Sequence, residues 1–124
     1  MKSWLKAALA ATAAFAVGSA AAQQTVNMPI VIELSGAGAV SGTNFRDGAV
    51  LAIEEINAAG GILKRKISAP QSDTQSNAGI SRAQVQKAID SNPYVILGPV
   101  FSGSVKVNMQ TLPRLSRNDD AQRH

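Results

Sequence analysis

Tyr94-Val95-Ile96-Leu97-Gly98-Pro99-Val100-Phe101-Ser102-Gly103-Ser104 is the stretch whose reading decides the fold. Its first four residues read as a buried strand, and Gly98 and Pro99 break it. Ser102-Gly103-Ser104 follows, small and polar. Val105, Met109 and Leu112 then recur at i, i+4 and i+7, the spacing of one helix face. The stretch is therefore strand, turn and hydroxyl-rich helix start. A helix start leaves backbone N–H groups unpaired, and the macrodipole places partial positive charge there. Phe101, Ser102, Gly103 and Ser104 thus make a candidate cradle for a carboxylate or a phosphate. The plainer reading of the same serines is that they cap their own helix.

Upstream, residues 25–34 hold Val26, Met28, Ile30, Val31, Ile32 and Leu34. The continuous aliphatic middle predicts a strand covered on both faces in a parallel sheet. Glu33 is the exception and belongs near the strand's carboxyl end. A loop of small residues follows over 35–44, with Ser41 inside it. Phe45, Ala49, Ala52, Ile53 and Ile56 then form a helical stripe. Asn44 is the expected N-cap with Asp47 in capping-box position, and Gly60-Gly61 the expected stop. A second strand is expected over 67–72, at an edge because Pro70 cannot donate to a ladder. Asp73-Thr74-Gln75-Ser76-Asn77 is a polar loop with several possible caps. A helix over 81–90 turns Val85, Ala88 and Ile89 inward, and Pro93 closes it. The order β-α-β-α-β-α predicts an α/β fold, a parallel sheet of about three strands in the order 2-1-3 with flanking helices. In that order the loop over 35–44 and the loop over 101–104 are neighbours beyond the carboxyl ends of the strands, where open sheets bind ligands.

The first 22 residues read as a secretory signal peptide. Lys2 and Lys6 precede an alanine-rich apolar run, and Ala20-Ala21-Ala22 satisfies the cleavage rule, so the mature chain is expected to begin at Gln23. The apolar run is too short for a membrane span. A soluble exported protein is expected, with no span once the leader is removed. At the other end, residues 113–124 show no periodicity, and the tail reads as disordered or as sequence foreign to the fold.

The 124 residues suffice for one modest domain, and a 45% hydrophobic, 16% charged composition is that of a globular chain. With no cysteine, thiolate chemistry and Cys-based zinc sites are excluded. The net charge of +4 lies largely at the two ends: between residues 23 and 110 there are seven Lys or Arg against six Asp or Glu. No nucleic-acid partner is inferred from it. His124 is the single histidine and is terminal, so no histidine base or metal cluster is available. Glu54 and Glu55 are adjacent and diverge on a helix. Lys64-Arg65-Lys66 reads as a solvated turn, and Asp73 as a turn or helix cap. Gly36-x-Gly38-x-x-x-Gly42 invites a dinucleotide reading, but it is one residue too long for G-x-G-x-x-G and lacks the acidic partner. No catalytic constellation, metal site or cofactor follows. A cleft with a helix start, hydroxyls and no chemistry describes a binder. A nucleotide-binding Rossmann-like half of an exported enzyme stays as the alternative.

Leu34-Ser35-Gly36 after the first strand, Gly48-Ala49-x-x-Ala52-Ile53-x-x-Ile56-Asn57-Ala58-x-Gly60-Gly61-Ile62, then Asp73 and Asn77, and Tyr94-Val95-Ile96-x-Gly98 running into Phe101-Ser102-Gly103-Ser104 give the chain a family likeness. It resembles the periplasmic substrate-binding proteins of branched-chain amino acid ABC transporters, over residues 25–110. The resemblance implies a type I periplasmic binding fold of two lobes that hold the ligand between them. It implies that Ser102 binds an amino acid's carboxylate by hydroxyl and backbone N–H, and that Ser41 lines the ligand side-chain pocket. It also implies a periplasmic transport component, handing a small amino acid or related carboxylate to membrane permease subunits. Lys64 departs from it, standing where the family usually has glycine. Thr74 stands where a second aspartate is common, and Ser41 is small where some members carry a large aromatic. Two lobes of about 150 residues each do not fit in this length. Residues 23–112 are accordingly expected to be a partial N-terminal lobe, incompetent alone, and 113–124 an out-of-frame or disordered tail.

Overall fold

Ile30 is paired with a neighbouring segment on each side, and the fold is laid out around it. The structure, a computed structural model, describes residues 24–110 and 112. The expected leader and the irregular tail lie outside the described residues. The first strand is two short pieces, β1 (Val26–Asn27) and β2 (Ile30–Ile32). The second is likewise two, β3 (Ile67–Ser68) and β4 (Gln71–Asp73). β1 pairs with β3 and β2 with β4, both parallel, with Val26 opposite Ile67 and Ile30 opposite Gln71. The register is the same on both sides of the interruption, so the pieces are one ladder broken where Pro29 falls opposite Pro70. Pro70 has no N–H to give the central strand. The ladder resumes at once: Met28 N–H donates to Ser68 O and Ile30 N–H to Pro70 O, both at 2.8 Å.

On the far side Ile30 bridges Leu97 in parallel, which gives the order 2-1-3. The expected strand over 94–97 is reduced to this bridge. Tyr94 N–H donates to Asn27 O and Leu97 N–H to Pro29 O, three residues against two, which is a bulge. Pro29 lacks the donor that would have set a regular register there. Tyr94 is 81% exposed, so this strand is not the buried one expected.

Among the described residues three helices flank the sheet: α1 (Ala39–Ala58), α2 (Ala78–Asp90) and α3 (Ser102–Met109). β2 is buried on both faces. Ile30 and Ile32 join Val26, Ile53 and Ile67 on the α1 side, while Val31 meets Val85 and Ala88 of α2 on the other. That alternation within a continuous aliphatic run is what a doubly covered strand requires.

Two helix readings change. α1 begins at Ala39 with Gly38 before it, five residues ahead of Asn44, and no side chain caps it. Its inward face is Gly42, Ala49, Val50 and Ile53, whereas Phe45 and Ile56 are about two-fifths exposed. The start is fixed by contact: a Cβ on Gly42 would come within 1.8 Å of Glu33 O, so the first turn lies on the end of β2, where glycine alone fits. In α3 the buried residues are Ser104 and Asn108, and the apolar stripe of Met109 and Leu112 faces out. The side turned to α2 is a polar seam, in which Asn108 Nδ2 donates to buried Ser81 Oγ at 2.9 Å. α2 keeps its expected face, and Asn77 is its cap, accepting Ile80 N–H at 3.0 Å.

Candidate functional site

Three loops meet beyond the carboxyl ends of the strands: 33–38 after β2, 73–77 after β4, and 97–101 before α3. Polar side chains bind them into one surface. Asp73 Oδ1 accepts the N–H groups of Leu34 (2.9 Å), Ser35 (3.2 Å) and Gln75 (2.7 Å), and Oδ2 accepts the Ser35 hydroxyl at 2.6 Å. Desolvation pushes the Asp73 carboxyl up. The Ser35 hydroxyl, then the Gln75, Leu34 and Ser35 N–H groups, outweigh it and hold the carboxyl below the ordinary value of 3.8. Asp73 thus closes a turn, as expected, and also clamps the first loop. Ser76 continues the seam, its Oγ donating to Ser35 O at 2.7 Å and accepting Gly38 N–H at 2.9 Å. Gly36, at φ +78°, packs against Gln75 and Ser76. The Gly36, Gly38 and Gly42 series is therefore accounted for by close packing, and the dinucleotide reading loses its footing.

Glu33 joins the first loop to the third. It is fully buried, and Oε2 accepts Val100 N–H at 3.1 Å. Its Cβ and Cγ, and the Phe101 ring, each lie 3.1 Å from where a Gly38 Cβ would stand. The third loop, with Gly98 at φ +91°, is thereby held against the start of α1.

The residues singled out from sequence fall as follows. Phe101 is the residue before α3, and its ring borders Gly38. Ser102 and Gly103 are exposed in the first turn of α3. Ser104 is buried at 2% exposure in the same turn, so its hydroxyl is not presented at the surface. Ser41 is exposed in the first turn of α1 rather than in a loop. α2 has its Asn77 cap, but α1 and α3 have no side-chain cap and no acidic residue in their first turns. The plainer reading of Ser102 and Ser104 as caps therefore fails. Two helix starts without side-chain caps stand at this edge of the sheet; in α1 the Ala39 N–H already donates to Gly36 O at 3.2 Å, and the remaining first-turn N–H groups are of the kind that attract an anion. Beside Ser102 opens a hollow of about 480 Å³, lined by Val100, Ser102, Val105, Lys106, Met109 and Gln110. A larger cavity of about 710 Å³ lies where the strands begin, between Asn27, Arg65 and Tyr94, at the opposite end from the open helix starts.

Sequence reasoning missed Glu33, Ser35 and Ser76 as site residues. The signal for Glu33 was its place as the one charge ending an aliphatic run. Ser35 and Ser76 had none, since their roles come from loops 41 residues apart. Among the described residues no group of His, Cys, Asp or Glu could hold a metal ion, and no helix is long and apolar enough to cross a membrane.

Comparison with known proteins agrees with this geometry. No curated protein matches. Among solved structures, the branched-chain amino acid transporter substrate-binding protein LivJ of Streptococcus pneumoniae, in complex with isoleucine, is 29% identical. Its TM-score is 0.70 over 73% of this chain and 26% of that one. A putative branched-chain amino acid ABC transporter protein of Silicibacter pomeroyi is 35% identical, with a TM-score of 0.56 over 59% of this chain and 19% of that one. A type 1 periplasmic binding protein of Bordetella pertussis is 26% identical, with a TM-score of 0.65 over 72% and 24%. The chain thus spans about a fifth to a quarter of the length of these proteins. The sequence model described as periplasmic binding protein matches residues 25–114, so that the doubly covered central strand, the 2-1-3 sheet and the open helix starts are those of a chain that belongs to the periplasmic binding protein family.

Proposed function

We propose that this chain supplies the carboxylate-recognising edge of a solute-binding protein that captures a small amino acid or related carboxylate for ABC transport, and hands it to membrane permease subunits in the periplasm. The observation that carries the reading is the pair of uncapped helix starts, α1 and α3, at the carboxyl edge of the sheet. The Ser102 hydroxyl and the N–H groups of Ser102, Gly103 and Ser104 receive the carboxylate. Ser41, exposed on the first turn of α1, borders the ligand's side chain. Family membership supports the location and partners in this reading.

Magnitudes bound what this edge does by itself. Charge-assisted hydrogen bonds contribute roughly 1.5–3 kcal/mol each. Loss of translational and rotational freedom costs about 4 kcal/mol or more. The 124-residue chain should bind leucine, isoleucine or valine at millimolar affinity or weaker. In a leucine titration followed by NMR, the amides of Ser102, Gly103 and Ser104 should shift first, and Ser102→Ala should weaken the effect by about tenfold. Amides at 102–104 that stay fixed at millimolar leucine would sink the reading, as would micromolar binding indifferent to Ser102→Ala.

A further inference from the structure

Glu33 has no exposed surface, yet half of its carboxylate is idle. Oε2 accepts Val100 N–H. Among the described residues, Oε1 is buried with no hydrogen-bond partner. A buried carboxylate oxygen without a donor has given up its hydration for nothing in return. Such groups in a native fold call for an explanation. The place of this one supplies it. Its Cβ and Cγ touch Gly38, the residue before α1. Its bonded oxygen holds Val100, two residues before α3. The carboxylate therefore lies between the two open helix starts.

The site so built has both signs of charge. Two helix starts present partial positive charge, and behind them stands a fixed negative charge in a poorly screened interior. A ligand that is only a carboxylate brings a second negative charge toward buried Glu33, and like charges at short range in a poorly screened interior work against binding. A ligand whose ammonium is one carbon from its carboxylate supplies the cation that Glu33 lacks. We propose that Glu33 is the specificity-determining residue of this edge, the counter-charge that makes it select α-amino acids over plain carboxylates of the same skeleton. The inference rests on the open helix starts being the carboxylate cradle, as proposed above. The bond from Val100 N–H gives Glu33 a positioning role as well, but that role needs one oxygen and leaves the other unexplained.

The test uses the full chain and three probes with one branched skeleton: leucine, isocaproate without the ammonium, and isoamylamine without the carboxylate. Each is titrated while the amides of Ser102, Gly103 and Ser104 are followed. Leucine should bind at least about tenfold more tightly than isocaproate, and isoamylamine should leave the three amides unmoved. Glu33→Gln keeps an acceptor for Val100 N–H while removing the charge. It should bring leucine and isocaproate within about threefold of each other, chiefly by tightening isocaproate. A merely structural glutamate would weaken both probes alike. Equal binding of leucine and isocaproate by the native chain overturns the role of Glu33 and leaves the cradle standing; this comparison needs no variant to fold. An undiminished leucine preference in Glu33→Gln also overturns it. If neither leucine nor isocaproate moves the three amides, the cradle itself is wrong and the inference falls with it.

Discussion

The Ser35 hydroxyl donates to Asp73 Oδ2 at 2.6 Å, a charge-assisted bond that ties the loop after the central strand to the end of the edge strand. With three backbone N–H groups on Oδ1, the ionised Asp73 is bound better in the folded chain than in the unfolded one. Its carboxyl is accordingly held below 3.8. A lowered folded value adds stability that is present above the unfolded value and lost as pH falls through the folded one. Asp73→Asn should therefore cost about 1–2 kcal/mol at neutral pH. The gap between the two proteins in urea unfolding should stay constant down to about pH 5 and close on acidification below that. A gap that widens with acid would contradict the assignment.

Two glycines of α1 should respond in opposite directions. A Cβ on Gly42 would meet Glu33 O at 1.8 Å, while nothing lies within 4 Å of one on Gly48. Gly42→Ala must push the helix off the strand end and should cost about 3 kcal/mol or more. Gly48→Ala relieves a helix-interior glycine and should gain about 0.5–1 kcal/mol. Thermal melts of the two variants, read against the native chain, decide it.

Asn57 deals with the outer edge of the sheet. Its Nδ2 donates to Ile67 O at 2.9 Å and its Oδ1 accepts Ile67 N–H at 2.7 Å, so one side-chain amide stands in for a neighbouring strand. Asn57→Ala should cost about 1–3 kcal/mol by leaving both groups unpaired. Faster hydrogen exchange at Ile67 in Asn57→Ala than in the native chain is the local readout.

The turn between α1 and β3 is built with the wrong residues for its shape. Leu63 and Lys64 have φ of +49° and +64° inside the Ile62–Arg65 bridge, a two-residue turn suited to Asn-Gly. Leu63→Asn with Lys64→Gly should raise stability by about 1 kcal/mol, seen as a higher denaturation midpoint with unchanged slope. Lys64, the departure from the family pattern, is thus a departure at a position where the backbone favours glycine.

What could be read from sequence was what local pattern controls. The run Ile30-Val31-Ile32 foretold a strand covered on both faces, and Pro70 foretold the edge. The face of α2 followed from Val85, Ala88 and Ile89. The misreadings arose where contact overrode pattern. Asn44 and Asp47 match a capping box, but the fit of Gly42 on Glu33 O places the start of α1 earlier. Val105, Met109 and Leu112 have helical spacing, yet Ser104, Asn108 and Ser81 form the seam, because small polar side chains let α3 lie on α2 and Asn108 Nδ2 reaches Ser81 Oγ across it. The strand over 94–97 failed because its neighbour is Pro29, which has no donor to give. At the candidate site, the serines were singled out by residue type. The Glu33–Val100 and Ser76–Ser35 links were out of reach, since they join residues far apart in the chain.

The facing prolines, Pro29 and Pro70, have a mechanical consequence. Pro70 removes a donor from one ladder of the central strand and Pro29 from the other, at the same level. The sheet therefore carries a transverse crease. Below it are β1, β3 and the turn at residues 62–65. Above it are β2, β4, Leu97 and the three loops that shape the ligand edge. That line is where the ladder has the fewest bonds, so fraying of the lower tier is expected to stop there. The upper tier keeps its spacing between α1 and α3, much as a scored plate bends along its groove and leaves the panel beyond it flat.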